Sequence, residues 1–363
     1  MGPWQPLCPA NPRSPIHLKE AIMATSKRVG YAVVGLGSIS ENAILPAFRT
    51  AKKSRLVALV SGDAAKAKRL AKKFHAPLSY TYENFDECLR NPDVEAVFVA
   101  TNNGTHVRFT LQAAASGKHV ICEKPMANTV EECERMVDAC RKNKVKLMIA
   151  YRKYFEPASL EFKRLIASGK LGRLKFLHTA FSVNLPVSSQ WHLSQSAAGG
   201  GALLDVGVYC VNTSRFVLGV DPVEASGAYA WTVDPVRFAE VEETMSFQLK
   251  FPDSLYMQAT ASFGAIIASF LQVHGEKGWA ALDPSYAFDT QRRMFGEIGG
   301  KWFEKKFPPI GEFDLELDHM AECIRKKREP LADGAVGLRD VQIMQAIYQS
   351  ERTKAPVAIP PAG

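Results

Sequence analysis

Two stretches of this sequence place ionisable side chains where an alcohol or a carbonyl could be handled. In GGGALLDVGVY, residues 199–209, three consecutive glycines lead into an apolar segment that carries Asp205 and Tyr209. Four residues apart on a helix, an acid and a phenol project from one face. Glycines at 199–201 would let the backbone pass close to substrate or cofactor before that helix begins. The second stretch is Glu123-Lys124-Pro125, which directly follows the apolar run HVIC. A lysine there offers a fixed positive charge to an alcohol or carbonyl oxygen. Each feature has a plain alternative: a capping Asp beside a core Tyr, and a surface lysine in a turn.

The elements that must position these groups decide between the readings. GYAVV (30–34) is a short apolar strand running into GLGSIS, a glycine-rich turn made of Gly35, Leu36, Gly37, Ser38, Ile39 and Ser40. Gly35 allows the tight turn, and Gly37 lets the backbone approach a pyrophosphate at a helix N-terminus. Ser40 stands at the third, usually glycine, position and is still small. Further strands are expected at 55–62, 96–101, 119–125 and 145–151, with helices at 63–74, 105–116 and 129–143. Strands apolar on both faces and separated by helices indicate a parallel sheet covered on both sides. This predicts a Rossmann domain over residues 27–150, with Lys124 at the nicotinamide end of its crevice. At the end of the second strand, Ser61-Gly62 followed by Lys66 replaces the acid that would bind ribose hydroxyls, which favours NADP(H) over NAD(H). Asp63 is the counter-argument, unless it serves as the N-cap of the next helix.

Residues 151–363 change character. Strands are expected at 173–183, 223–233, 242–251, 254–263 and 269–282, and helices at 312–328 and 335–351. The fold class is therefore α/β, a Rossmann domain followed by an α+β domain with a large open, mainly antiparallel sheet. Helices on one face of that sheet would leave the other free to pair with a second subunit. The chain length of 363 residues suits two such domains. The segment 1–26 is rich in proline and lacks the apolar core of a secretory signal, so it reads as an extended arm. Met23 offers an alternative start.

Bulk properties exclude several classes. No apolar run approaches the roughly 20 residues that span a membrane. The net charge of +8 is spread among acidic residues, and no zinc-finger or RNA-binding pattern accompanies it, so nucleic acid is not expected. The densest basic run, Lys66 to Lys73, reads as a solvated helix face or as part of the cofactor site. Seven cysteines, without a CxxC pair, read as reduced thiols of a cytoplasmic protein.

From about Arg28 to Val357 the chain resembles the glucose–fructose oxidoreductase, inositol dehydrogenase and MocA-like family, and most closely the glucose–fructose oxidoreductase branch. RVGYAVVGLG, LVSGDAAKAK, GKHVICEKPMA, KLMIAYR and QWHLSQSAAGGGALLDVGVYCVN carry the resemblance. It implies that Lys124 meets the substrate hydroxyl, that Tyr209 is the general base, and that Asp205 binds or orients the substrate. It also places Glu123, Arg152, Thr101, Asn103, His106 and Trp191 at the cofactor. Asn102 replaces the proline usual in the Thr101–His106 segment. His192 stands where the branch has an arginine that touches cofactor. The Lys124–Pro125 bond is expected to be cis, the arm to help hold a tightly bound nucleotide, and the assembly to be a homodimer or homotetramer.

The implied chemistry is physically sensible. A phenol with its reference pKa of about 10 is a weak base at neutral pH unless a neighbouring cation such as Lys124 favours its anion. The expected function is an NADP-dependent sugar oxidoreductase that oxidises an aldose such as glucose or xylose at C1 to its lactone, with coupled reduction of a ketose such as fructose. Alternatives within the resemblance are a keto-sugar reductase of the anhydrofructose type, an NAD-dependent glycosidase, and a non-enzymatic sugar- or nucleotide-sensing regulator. Intact Lys124, Asp205 and Tyr209 argue against the last.

Overall fold

Val29–Val34 (β1) is buried along its whole length, as expected of a strand covered on both faces. The computed structural model describes residues 28–186 and 190–361. The proline-rich arm predicted at 1–26 lies outside the described residues. β1 is the centre of a six-stranded parallel sheet with Ser54–Ser61 (β2), Leu78–Thr81 (β3), Ala96–Val99 (β4), His119–Cys122 (β5) and Leu147–Ile149 (β6). The order β3-β2-β1-β4-β5-β6 is the doubly wound arrangement, in which ligands gather where β1 and β4 diverge. Among the connecting helices, Ala64–Phe74 (α1) opens on Asp63, whose carboxylate accepts the Lys66 N–H at 2.9 Å. Asp63 is therefore a helix cap. Asn103–Ala115 (α2) follows β4, and Val130–Lys142 (α3) follows β5.

The second sheet has nine strands: Leu174–Ser182 (β7), Glu224–Trp231 (β8), Thr244–Phe251 (β9), Leu255–Ser262 (β10), Ser269–Gly275 (β11), Gly278–Asp283 (β12), Arg292–Ile298 (β13), Lys301–Phe307 (β14) and Val357–Ala358 (β15). Pairing is antiparallel throughout except between β7 and β10. The segment expected as one strand over 269–282 is a hairpin, turned at Glu276-Lys277 between β11 and β12. Buried and exposed residues alternate along β10, which marks a sheet with one covered face. Pro157–Ala167 (α4), Val208–Leu218 (α5) and Gly334–Thr353 (α7) lie on the covered side. Phe176, Tyr256 and Trp302 are exposed on the other.

Glu312–Lys326 (α6) returns to the first sheet. Leu317 O accepts the Tyr31 hydroxyl at 3.1 Å, and the Asp318 carboxylate accepts the backbone N–H groups of Lys52 and Lys53 at 2.7 and 2.8 Å. Just before α7, Ala332 O accepts the Ile149 N–H at 2.8 Å. The end of the chain thus clasps the sheet built by its beginning.

Candidate active site

Beyond β1, Gly35 adopts φ +91°, a conformation that favours glycine, and a Cβ there would run into the Ala100 carbonyl 2.3 Å away. Only glycine lets this turn pass so close to the end of β4. At Gly37 the opposite holds: a Cβ would meet nothing within 4 Å, so the backbone borders open space at the start of the following helix. That pairing of a tight turn with an open, side-chain-free shoulder fits a dinucleotide pyrophosphate. Ser40 is buried and its hydroxyl donates to the Gly35 carbonyl at 2.6 Å, which pins the turn. Leu36 is buried in the core, leaving only its backbone to the turn, while Ser38 is exposed. At the end of β2, Ser61 Oγ accepts the Asp63 N–H at 3.1 Å. With Asp63 committed to its cap, the groups at this end of the crevice are Ser61, Gly62 and Lys66.

A cavity of about 210 Å³ lies between the ends of β4, β5 and β6 and helical segments of the second half of the chain. Ile39, Thr101, Asn103, Glu123, Lys124, Arg152, Trp191, His192, Asp205 and Tyr209 line it, joined by Ala100, Ala150 and Phe313, which the sequence reading did not single out. Phe313 stands in the first turn of α6, far along the chain, with no motif to announce it. Gly35, Leu36, Gly37, Ser38, Ser61, Gly62 and Lys66 lie outside this cavity, along the remaining length of the crevice. His106 is buried behind the wall, its ring nitrogens 3.0 Å from Pro125 O and 3.2 Å from Thr101 O. It braces the two loops that carry Lys124 and Thr101, and burial pulls its pKa down to about 4. The Lys124–Pro125 bond is cis.

Lys124 is held by one partner twice. Its ammonium donates to Asp205 Oδ1 at 2.6 Å and to Asp205 O at 2.7 Å. An ammonium has three donors, so the third remains for the cavity. Burial alone would lower the pKa of Lys124, but the Asp205 carboxylate and Tyr209 hold it above the ordinary lysine range. Burial would likewise raise Asp205, and Lys124 with His192 holds it below the ordinary range. Both therefore stay charged. The Lys124 ammonium also lies 5.0 Å from the Tyr209 ring centroid. Glu123, next along the chain, is pushed by burial up to about 7, against the pull of Lys124.

Asp205 and Tyr209 do share one side of a helix, but not an ordinary one. Leu203–Gly207 forms a π-helical turn that leads into α5, a local widening often found at functional sites. The glycines before it do not border the cavity, contrary to the expectation that they approach substrate or cofactor. A Cβ on Gly201 would strike the Glu242 carbonyl at 2.0 Å, and one on Gly200 the Tyr348 hydroxyl at 2.2 Å. They are small because the protein packs on them. The Glu242 carboxylate accepts the N–H groups of Gly201 and Leu203, each at 2.9 Å, and the Tyr348 hydroxyl at 2.9 Å. This clamp fixes the entry to the π-turn and hence the position of Asp205.

Arg152 supplies the other side of Tyr209. Its Nε donates to the Tyr209 hydroxyl at 3.4 Å, and its guanidinium also bonds the Glu312 carboxylate and the Tyr286 carbonyl. Arg292 pairs with Glu312 and Glu156, and Lys153 with Glu156, so a closed set of charges lies buried behind the phenol. Burial drives Lys153 well below the ordinary lysine range, opposed by Glu312 and assisted by Arg292 and Arg152. The six cysteines among the described residues are free and buried, and no cluster among those residues could hold a metal ion.

A glycine turn at the switch point of a doubly wound sheet, leading to a lysine with one unspent donor beside a phenol, belongs to enzymes that exchange hydride with a nicotinamide. The molecule is a Rossmann-fold oxidoreductase. It belongs to the GFO/IDH/MocA family: residues 29–151 match the model of an oxidoreductase family with an NAD-binding Rossmann fold, and residues 159–281 match the GFO/IDH/MocA C-terminal domain. A D-xylose 1-dehydrogenase [NADP(+)] of Haloarcula marismortui is 33% identical over 93% of this chain and 94% of its own length. The trans-1,2-dihydrobenzene-1,2-diol dehydrogenase of Mus musculus is 29% identical over 84% of this chain and 90% of its own. The crystal structure of an aldose-aldose oxidoreductase from Caulobacter crescentus, complexed with glycerol, superposes with a TM-score of 0.87 at 39% identity, covering 92% of this chain and all of that one.

Proposed function

We propose that the protein is an NADP-dependent sugar oxidoreductase that oxidises the C1 hydroxyl of an aldose pyranose, such as glucose or xylose, to the lactone. The observation that carries this reading is the unspent donor of Lys124, held by Asp205 next to the Tyr209 phenol. Relatives that act on aldoses support the substrate class. NADP(H), when bound, takes up or returns the hydride at the sugar carbon. Gly35, Leu36, Gly37, Ser38 and Ile39 would hold its pyrophosphate. Ser61, Gly62 and Lys66 would hold the adenosine 2′-phosphate, and Thr101, Asn103, Glu123, Arg152, Trp191 and His192 the nicotinamide half.

The chain's own residues divide the remaining work. Lys124 holds the substrate oxygen through its third N–H, and Asp205 keeps that ammonium charged and aimed. Tyr209 takes the hydroxyl proton. The cations of Lys124 and Arg152 on its two sides stabilise the negative charge its oxygen must carry to accept that proton. In reduction the same groups act in reverse, Tyr209 giving the proton back.

We assign residues 27–150 to nucleotide binding and 151–363 to substrate binding and assembly, and infer that the exposed aromatic face of the second sheet pairs with another copy of the chain. Sedimentation at micromolar concentration would return a monomer if that pairing is wrong.

The reaction is tested by following the absorbance of purified protein as glucose or xylose, then fructose, is added. A reduced-nicotinamide band that rises with the aldose and falls with the ketose is the expected result for a retained cofactor. A band only after NADP⁺ is supplied means the cofactor exchanges freely. No band with either aldose, with NADP⁺ present, overturns the proposal.

A further inference from the structure

A second cavity, of about 350 Å³, adjoins the first, and Phe313 lines both. It lies between the helix that follows the glycine turn, with Asn42, together with the turn after it, with Thr50, and two segments of the second half of the chain. These are the link between β12 and β13, with Phe288 and Asp289, and the start of α6, with Phe313 and Asp314. Arg152 lines the inner space and stands beside its border with the outer one. Its guanidinium lies 5.2 Å from the Tyr209 ring centroid and 5.7 Å from that of Phe288. The reacting phenol and the aromatic wall of the outer cavity thus flank the same guanidinium.

The chemistry of the outer cavity is specific. Phe288 is 49% exposed, an unusual state for a phenylalanine, and stands edge-on to Phe313 at 88° with centroids 6.3 Å apart. Beside it Asp289 adopts the left-handed φ of 53°, and it has no hydrogen-bond or ion-pair partner among the described residues. Asp314, Asn42, Thr50 and Glu312, the last paired with Arg152 and Arg292, complete the polar lining, which contains no lysine or arginine. An anionic ligand would meet carboxylates with no cation in the lining, and the nearby Arg152 guanidinium is already committed to Glu312 and the Tyr286 carbonyl. A purely apolar ligand would leave those carboxylates facing it unpaired. A neutral molecule with one C–H face and an edge of hydroxyl donors satisfies both walls. That is a pyranose ring.

We propose that this cavity is a subsite for a second sugar ring, so that the protein takes a reducing disaccharide whose free anomeric end lies at Lys124 and Tyr209 and whose second ring rests on Phe288, hydrogen-bonded by Asp289 and Asp314. The proposal rests on the sugar-oxidation reading above. The space, near the lower end of the range for ligand cavities, has room for one ring.

The test compares glucose, xylose, maltose and cellobiose as substrates for NADP⁺ reduction by the wild-type protein and by Phe288→Ala and Asp289→Asn. Both positions are exposed, and unchanged thermal midpoints would show that the variants fold. The expected result is a KM for maltose or cellobiose about tenfold below that for glucose. Each variant should raise that disaccharide KM by about tenfold while leaving glucose and xylose kinetics unchanged. Saturation-transfer NMR should show signal passing from protein to the protons of the second ring, and losing intensity in Phe288→Ala. Turnover of glucose or xylose with no advantage for either disaccharide, or variants that shift monosaccharide and disaccharide alike, overturns the subsite and leaves the sugar-oxidation reading intact. No turnover of any of the four sugars overturns that reading, and the subsite with it.

Discussion

Tyr209 stands between two charged assemblies of opposite design. On one side, Lys124 and Asp205 form a pair whose side chains are 13% and 23% exposed, with one ammonium donor left over. On the other, the Arg152 and Glu312 side chains are 4% and 2% exposed, inside a closed set that includes Arg292, Glu156 and Lys153. The first can bind something new because it is unfinished. The second cannot, and its use is to keep the Arg152 guanidinium at a fixed place behind the phenol. A site that must exchange protons at one atom needs both: a cation able to release its ligand and a cation that does not move.

The contrast can be broken most sharply at the phenol itself. Tyr209→Phe leaves both assemblies in place and removes the proposed proton acceptor, so kcat should fall by about a thousandfold with nucleotide affinity, read by fluorescence titration, unchanged. Full activity in that variant would mean that neither assembly serves Tyr209. Next comes the closed set. Glu312→Gln removes the carboxylate that two buried guanidiniums share, and should cost on the order of 3 kcal/mol in urea unfolding, as loss of one partner from a buried pair does. Because Lys124 and Asp205 are far less buried, Asp205→Asn should cost clearly less stability while reducing kcat/KM more.

A smaller effect is expected at the far end of the crevice. Lys66→Ala should weaken NADP⁺ binding by about tenfold and leave NAD⁺ binding alone, as measured by calorimetry. The smallest is a pH effect at Glu123, whose pKa burial raises from 4.5 to about 7. A carboxyl raised on folding holds its proton in the folded state between the two values. Its stabilising contribution is complete below about 4.5 and is lost as pH rises through about 7. Glu123→Gln keeps a neutral side chain at every pH, so its thermal midpoint should gain a few degrees on the wild type between pH 5 and pH 8. A constant difference would show that Glu123 does not titrate there.

The two halves of the molecule were not equally legible. Strands buried on both faces write themselves as continuous apolar runs, so β1, β2 and β4 could be read directly, and GLGSIS marked the turn between β1 and its helix. Asp63 could be recognised as a cap because a short acidic side chain before a helix has a local partner, the Lys66 N–H. The second sheet alternates, and its hairpin at Glu276-Lys277 lacks the Asn-Gly or Asp-Gly pair that would have divided β11 from β12. The glycines at 199–201 were visible but their reason was not, since Glu242 and Tyr348 approach from distant parts of the chain. Phe313 and Glu312 were invisible for the same cause: their partners, Arg152 and the cavity wall, are neighbours only after folding. Local rules recover what local contacts decide.

The return of α6 to the first sheet bears on how such a protein can be inherited or rebuilt. Leu317, Asp318 and Ala332 serve backbone and side-chain groups of the first sheet and its loops, so the nucleotide-binding half is not a detachable cassette. A fragment ending at Ala150 would lose the cover over Tyr31 and the acceptors for Lys52 and Lys53. A chimera that exchanges the first half for a relative's must therefore carry the matching Glu312–Thr353 with it. Recombination in this architecture is a trade of two ends at once.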